Sequence, residues 1–238
     1  MTLKISLNYS PNFSPKRRIS RNIKFIVIHY TGMPNEKKAI DKLTDIKSKV
    51  SCHYFIKKNG KVILMVPELY VAWHAGISNW KNFESINKFS IGIEVQNRGH
   101  AHGYHKFSMA QINSIISLCS KLIKKYKIQN RNVLAHSDVS YNRKIDPGEK
   151  FPWYYLSSKG VGIYPKEISK FVKKTKMQNI KGFFKNLHKI GYRYLSVKFK
   201  KKIIKNFQRR FRQRKIDGIL DSETMKISQV LAKKPNIS

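Results

Sequence analysis

The chain has 238 residues, 41% of them hydrophobic, which is enough for one domain of ordinary size plus a smaller one. Its 49 Lys and Arg against 13 Asp and Glu give a formal charge of +36, which favours anionic partners such as nucleic acid, lipid headgroups or an acidic polymer, although a general drift of composition toward Lys explains the same count. Two cysteines exclude a disulfide framework, and no apolar run reaches the roughly 18 residues of a membrane helix.

The first third of the chain contains a basic arm, a strand and a helix. Residues 1–22 are expected to form an extended arm, and they lack the apolar core of an export signal. Residues 24–30 form a nearly continuous apolar run of strand length, which predicts a strand buried on both faces. It ends at a turn signal, Thr31-Gly-Met-Pro, and residues 36–48 are predicted to be helical because their apolar positions share one face.

The middle of the chain alternates strands with a long helix. Asn59-Gly60 stands between two apolar runs and predicts a β-hairpin. Residues 91–95 predict another short buried strand, and Ser108 with Gln111 forms a capping box at the start of a helix that reaches about residue 125. A further apolar run, residues 133–135, precedes His136. This alternation predicts an α/β domain with a mixed β-sheet flanked by helices.

The C-terminal part has a different composition. Residues 166–238 hold 22 Lys and Arg against 4 Asp and Glu, whereas the first 165 residues hold 27 against 9, so the tail carries about twice the charge density. Three short helices are predicted there, over residues 180–190, 198–214 and 222–231. We expect a small helical domain, which is too short for a large core of its own.

Three side chains stand out as candidate metal ligands. His29 and His136 are placed at strand ends, and Asp146 lies on a loop that Pro147, Gly148 and a further proline keep irregular. Two histidines and one carboxylate leave a fourth tetrahedral position for water, which is the arrangement of a hydrolytic zinc site. The competing interpretation is two core histidines and an exposed aspartate.

A zinc hydrolase also needs a base and a cation near the developing oxyanion. Glu94 is the candidate base, because it is one acid in an otherwise apolar strand and a buried carboxylate without a partner is costly. Lys144, two residues before Asp146, is the candidate cation. The alternatives are an outward-facing strand residue for Glu94 and an ordinary surface lysine for Lys144.

Six sequence blocks resemble, in order, those of the zinc-dependent type-2 N-acetylmuramoyl-L-alanine amidases, which share their fold with peptidoglycan recognition proteins. The blocks are Ile28-His29-Tyr-Thr-Gly, Ser51-Cys-His-Tyr, Trp73-His74-Ala-Gly-Ile-Ser, Ser90-Ile-Gly-Ile-Glu94, Ala135-His136-Ser-Asp and Arg143-Lys144-Ile-Asp146-Pro-Gly with Phe151-Pro-Trp. The resemblance implies zinc held by His29, His136 and Asp146, with Glu94 as catalytic acid/base and Lys144 stabilising the tetrahedral intermediate. It also implies hydrolysis of the amide between N-acetylmuramic acid and L-alanine in peptidoglycan or muropeptides.

The remaining expectations concern the substrate and the domains. Trp73 and His74 are candidate substrate-binding residues, because an aromatic face suits a sugar or peptide; core packing is the alternative. The tail resembles the three-helix peptidoglycan-binding domains that accompany such amidases, through Asn206-Phe-Gln-Arg-Arg-Phe and Asp217-Gly. We therefore expect an arm over residues 1–22, a zinc amidase domain over 23–165 and a peptidoglycan-binding-like domain over 177–238.

Two other function classes compete with the amidase. A non-catalytic peptidoglycan-recognition module would lack a zinc ligand, and all three candidates are present. A nucleic-acid-binding protein would follow from the charge alone, with a steep salt dependence, but we expect no specific nucleic-acid partner and no transmembrane segment. The domain order resembles the cell-envelope branch of the family, which implies a periplasmic location, whereas the missing export signal favours the cytoplasm. The sequence makes no prediction of the oligomeric state.

Overall fold

The computed structural model describes residues 3–165 and 179–233. A six-stranded mixed sheet lies at its centre with helices on both faces, which confirms the predicted fold class. The strands across this sheet are, in order, β1 (Ile5–Leu7), β5 (Val62–Leu64), β4 (Tyr54–Ile56), β9 (Ser90–Val95), β3 (Phe25–Tyr30) and β10 (Val133–Ala135). Two smaller pairs are β2 (Phe13–Ser14) with β6 (Val71–Ala72), and β7 (Asn79–Trp80) with β8 (Phe83–Glu84).

The pairing of the central strands determines where the polar side chains lie. Strands β10, β3, β9 and β4 pair with one another in parallel, and β4 and β5 form the antiparallel hairpin predicted at Asn59-Gly60. Strands β3 and β9 pair so that His29 lies directly beside Glu94. Side chains of adjacent paired residues point to the same face of a sheet, so these two residues share a face at the carboxyl ends of their strands.

Within the described residues, seven α-helices accompany the strands. They are α1 (Glu36–Thr44), α2 (Met109–Tyr126), α3 (His136–Val139), α4 (Trp153–Ser158), α5 (Ile180–Ile190), α6 (Lys200–Phe211) and α7 (Ser222–Lys233). The capping box of Ser108 and Gln111 is present at the start of α2, as predicted. His136 begins the one-turn helix α3 instead of ending a strand, because the Asp138 carboxylate accepts a hydrogen bond from the Ala135 amide at 2.8 Å and caps that turn.

The two faces of the sheet are covered by different parts of the chain. Ile26 and Ile28 of β3 belong to the core cluster that also holds the apolar face of α2. The alternate residues Phe25 and Val27 belong to a second cluster, together with apolar residues of α5, α6 and α7. Residues 179–233, which we call the C-terminal helical unit, therefore share one core with the sheet. This confirms the three predicted helices and explains how so short a segment is stabilised.

The N-terminal residues are part of the same fold. Strand β1 pairs with β5 at the edge of the sheet, and β2 pairs with β6. Arg18 is buried, and its guanidinium donates to the carbonyls of Glu68 and Asn87 at 2.8–3.1 Å. The described part of the predicted arm, residues 3–22, thus packs against the domain, and it ends in a short 3-10 helix, Ser20–Asn22. The predicted domain boundary at 177 and the end of the chain lie outside the described residues.

Neither cysteine is accessible, and none of the described helices is long and apolar enough to cross a bilayer. Cys119 lies in the core beneath α2, as the helical pattern predicted, and Cys52 lies in a smaller apolar cluster beside α1.

Candidate active site

A cleft of about 380 Å³ opens at the carboxyl ends of the central strands, the edge at which parallel sheets place their sites. The seven residues selected from the sequence all line it: His29, Trp73, His74, Glu94, His136, Lys144 and Asp146. They come from four separate segments of the chain. The fold therefore assembles the predicted set in one place.

His29, His136 and Asp146 point three ligand atoms at one another. The two Nδ1 atoms are 2.9 Å apart, and Asp146 Oδ2 lies 3.2 Å from His29 Nδ1 and 2.9 Å from His136 Nδ1. All three residues are buried. Bonds of 2.0–2.1 Å in a tetrahedral zinc site place ligand atoms about 3.3 Å apart, so these side chains need to move apart by only a few tenths of an ångström to hold such an ion.

Hydrogen bonds on the far side of each imidazole determine its tautomer. Ser90 donates its one hydroxyl hydrogen to the Ile86 carbonyl at 2.7 Å, so it can only accept from His74 Nε2 at 3.1 Å. His74 Nδ1 is then an acceptor, and it receives the Nε2–H of His29 at 3.0 Å. His29 Nδ1 is consequently left without a hydrogen.

His136 reaches the same state through a different partner. Its Nε2 lies 3.2 Å from the Ala75 carbonyl, which can only accept, so a ring hydrogen is on Nε2, and in the neutral ring Nδ1 carries a lone pair. Two lone pairs and a carboxylate oxygen thus converge within 3.2 Å of one another. That is a donor set for a cation, and hydrogen bonding of the second ring nitrogen to the protein is usual for histidines that bind metal.

Burial and neighbouring charges favour a neutral His29 and an ionised Asp146. Burial, followed by the neighbouring His136, lowers the pKa of His29 to about 4, which keeps the ring neutral at physiological pH. Burial alone would raise the pKa of Asp146, but the His136 and His29 imidazoles hold it well below its usual range. A neutral imidazole and an ionised carboxylate are the forms that bind a metal.

His74 lines the cleft, where its substrate role stays a prediction, and its imidazole also contacts two other side chains. Both of its ring nitrogens are engaged within the protein, and its side chain is buried. Its ring packs on Gly92 so closely that a Cβ at that position would lie 2.3 Å from His74 Cγ. The glycine inside the apolar strand is the sequence signal of this close approach. The hydrogen bond from His29 Nε2 to His74 therefore fixes the orientation of the His29 ring.

Glu94 lies beside His29 and lines the cleft, so it is not the outward-facing strand residue of the alternative interpretation. Its Oε2 atom is buried and has no hydrogen-bond partner among the described residues. Burial, and then the negative charge of Asp146, raise the pKa of Glu94 from 4.5 to about 8. A carboxyl group with such a pKa can both accept and return a proton near neutral pH.

Three further residues line the cleft around this centre. Trp73 is half-buried, and its indole Nε1 donates to Ser14 Oγ at 3.2 Å. Lys144 lies on the cleft wall, in the segment that ends at Asp146. Arg143, which the sequence reading did not single out, also lines the cleft, and its guanidinium donates to the Ile77 carbonyl at 2.8 Å. Its position next to Lys144 was the available signal.

Comparison with known protein families and sequences places this chain among amidases. The family model described as N-acetylmuramoyl-L-alanine amidase matches residues 19–149. The N-acetylmuramoyl-L-alanine amidase AmiD of Escherichia coli is 34% identical over 232 residues, which cover 89% of this chain and 83% of that protein. The 1,6-anhydro-N-acetylmuramyl-L-alanine amidase AmpD of Haemophilus influenzae is 34% identical over 168 residues, which cover 63% of this chain and 89% of that protein.

Solved structures extend the similarity to the C-terminal helical unit. The complex of E. coli AmiD with anhydro-N-acetylmuramic acid-L-Ala-D-gamma-Glu-L-Lys superposes with a TM-score of 0.80 at 33% identity, covering 90% of each chain. A Pseudomonas aeruginosa protein in complex with anhydromuramic pentapeptide gives a TM-score of 0.80 at 26% identity, covering 98% of this chain and 99% of that one. The similarity in fold therefore covers almost the whole chain.

Proposed function

The chain belongs to the N-acetylmuramoyl-L-alanine amidase family, and we propose that it works as a zinc enzyme on peptidoglycan or its muropeptide fragments. The scissile bond is the amide between the lactyl group of N-acetylmuramic acid and L-alanine. One observation carries the metal assignment: His29 and His136 present Nδ1 lone pairs to each other at 2.9 Å, beside an ionised Asp146. A cation between these three atoms would be bound by all of them.

The residues around the centre have separate roles in this proposal. Zinc, when bound by His29, His136 and Asp146, supplies Lewis acidity that polarises a carbonyl and acidifies water. Glu94 accepts a proton from the attacking water and returns it to the nitrogen of L-alanine as the carbon–nitrogen bond breaks. The water oxygen remains on the lactyl carbonyl carbon as a carboxylate. Lys144 places a positive charge beside the carbonyl oxygen as negative charge develops on it.

The half-buried Trp73 is proposed to contact the substrate, since an aromatic ring offers an apolar face to a sugar or peptide. The relatives solved with anhydromuramyl peptides support muropeptides as the substrate class. On the sequence resemblance, we also propose that residues 177–238 contact the polymer. The cell envelope is the corresponding place of action, and its direct test is fractionation of the producing cells followed by detection of the protein.

The reaction is tested on two substrates with the purified full chain. Isolated sacculi and a soluble anhydro-muramyl tetrapeptide are incubated with the protein, with and without a chelator, and the products are analysed by mass spectrometry. We expect release of a free peptide beginning with L-alanine and of an intact muramyl sugar, with the gain of one water. The chelator should stop the reaction, and added Zn²⁺ should restore it.

Two outcomes would contradict the proposal. Cleavage at a glycosidic or a peptide–peptide bond would refute the assigned reaction, and full activity after complete removal of metal would refute the zinc assignment. Zinc stoichiometry, measured on the same samples by elemental analysis, separates these cases.

A further inference from the structure

The segment that carries half of the site has little regular structure of its own. Residues 136–153, which we call the ligand segment, contain His136, Lys144 and Asp146, but only one helical turn before α4 begins. Within the segment, the Ser137 amide donates to the Asp146 carbonyl at 3.0 Å. Metal ligands need to be held to within about half an ångström, so contacts from outside the segment matter for its geometry.

Asn206 of α6 provides two such contacts. Its amide is buried, and its Nδ2 donates to the Tyr141 carbonyl at 2.5 Å and to the Lys144 carbonyl at 3.1 Å. One side-chain nitrogen therefore joins two points of the ligand segment that are three residues apart. The second point is two residues from the ligand Asp146, so this bond restrains the backbone that presents its carboxylate.

A second set of contacts reaches Asp138, two residues after His136. The Tyr192 hydroxyl donates to Asp138 Oδ1 at 2.7 Å, and Arg210 Nε lies 3.4 Å from Asp138 Oδ2. All three side chains are at most 3% exposed. The Arg210 guanidinium also stacks on the Trp153 ring, with its carbon 3.4 Å from the ring centroid. These contacts join both ends of the ligand segment to the C-terminal helical unit.

From these contacts we infer that the C-terminal helical unit positions the active site, and that Asn206, Tyr192 and Arg210 are positioning residues for the amidase reaction. They touch neither substrate nor metal and act through the ligand segment. This inference rests on the proposed function. Partners that orient metal ligands typically change metal affinity or activity by 10–100-fold when they are removed, so the helical unit is part of the catalytic structure.

Gln208 provides a matched control in the same helix. It is also a fully buried amide, but its Nε2 donates to Asp217 Oδ1 at 3.0 Å and to the Ile219 carbonyl at 2.9 Å, both inside the helical unit. Removing it damages the helical unit without removing a contact to the ligand segment. A comparison of Asn206→Ala with Gln208→Ala therefore separates positioning from general stability.

The experiment measures zinc affinity by competition with a chromophoric chelator, kcat and KM on a soluble anhydro-muramyl tetrapeptide, and unfolding by urea, all on the full chain. Asn206→Ala should weaken zinc binding and lower kcat by about 10-fold each, with KM changed less than about 2-fold. Asn206→Asp, which keeps the size but cannot donate, should behave likewise. Gln208→Ala should unfold at lower urea while zinc affinity and kcat of the folded protein stay within about 2-fold of the wild type.

Tyr192→Phe is a milder second variant, because it removes one hydroxyl and leaves the ring packed against Trp80. It should weaken zinc binding several-fold even if Asn206→Ala does not fold. The inference is overturned if both Asn206 variants, or Tyr192→Phe where those do not fold, match Gln208→Ala in zinc affinity and kcat. Failure of the proposed function is a separate result: the wild-type protein itself would then bind no zinc or release no peptide.

Discussion

Glu94→Gln is expected to inactivate the enzyme and, at the same time, to remove a pH-dependent cost of folding. The folded state holds the Glu94 proton up to about pH 8, whereas the unfolded chain releases it above about pH 4.5. Raising the pH through this window therefore disfavours the folded wild-type protein, by about 1.4 kcal/mol per pH unit. Glutamine does not titrate, so the variant escapes this loss.

The size of the effect follows from the width of the window. Between pH 5 and pH 7, the free energy of unfolding of Glu94→Gln, relative to the wild type, should rise by about 2.5 kcal/mol. A pH-independent offset from the new amide shifts both values equally and cancels. Activity should fall by about 10²- to 10⁴-fold, the usual contribution of a general acid/base, while zinc stoichiometry stays unchanged.

Urea unfolding of both proteins at several pH values, followed by circular dichroism, measures the difference. The samples are metal-free, because the charge of a bound divalent cation would lower the Glu94 pKa, and the nearby histidines contribute equally to both proteins. If the difference in free energy of unfolding between Glu94→Gln and the wild type is constant from pH 5 to pH 7, the Glu94 carboxyl group is not desolvated in the folded protein. Wild-type turnover in the variant would remove Glu94 from the mechanism.

Three further predictions concern the metal, the substrate and the helical unit. His136→Ala should lose zinc as well as activity, whereas Glu94→Gln keeps zinc; elemental analysis distinguishes them, and a zinc-loaded His136→Ala would contradict the ligand assignment. Trp73→Ala should raise KM roughly 10-fold with little change in kcat, and Trp73→Phe should retain most of the affinity. If the KM of Trp73→Ala equals that of Trp73→Phe, Trp73 makes no aromatic contact with the substrate. Deleting residues 166–238 should unfold the remainder. The deletion exposes Phe25, Val27 and Leu134 to water, which removes on the order of 6 kcal/mol of stabilisation by burial. A fragment that is active, and folded by circular dichroism, would show that the C-terminal helical unit is separable.

Much of the fold follows from local patterns. The apolar run of β3, the Asn59-Gly60 hairpin and the capping box of α2 are each encoded within a few neighbouring residues, and all three form as predicted. A metal site could also be predicted from the sequence, because two histidines at strand ends and a carboxylate on a rigid loop are typical metal ligands. The family resemblance supplied the reaction.

Local sequence patterns do not predict the long-range contacts of His74 and of the C-terminal helical unit. His74 was selected with Trp73 as a candidate substrate residue because an aromatic face suits a sugar or peptide, and that role stays a prediction. The structure adds its hydrogen bonds to His29 and Ser90. Those partners lie 45 and 16 residues away in the sequence. No local pattern reports which distant side chain a buried polar atom will meet.

The amino-acid sequence by itself predicted most of the elements and the candidate ligand types, since these depend on residue identity and short-range periodicity. Only the tertiary structure decided which nitrogen of His29 and His136 carries a lone pair and what covers the second face of the sheet. Periodicity shows that Phe25 and Val27 are buried but does not name the residues that bury them. The C-terminal helical unit was predicted as a small domain of its own. In the structure it covers that face of the sheet, and Asn206, Tyr192 and Arg210 contact the ligand segment.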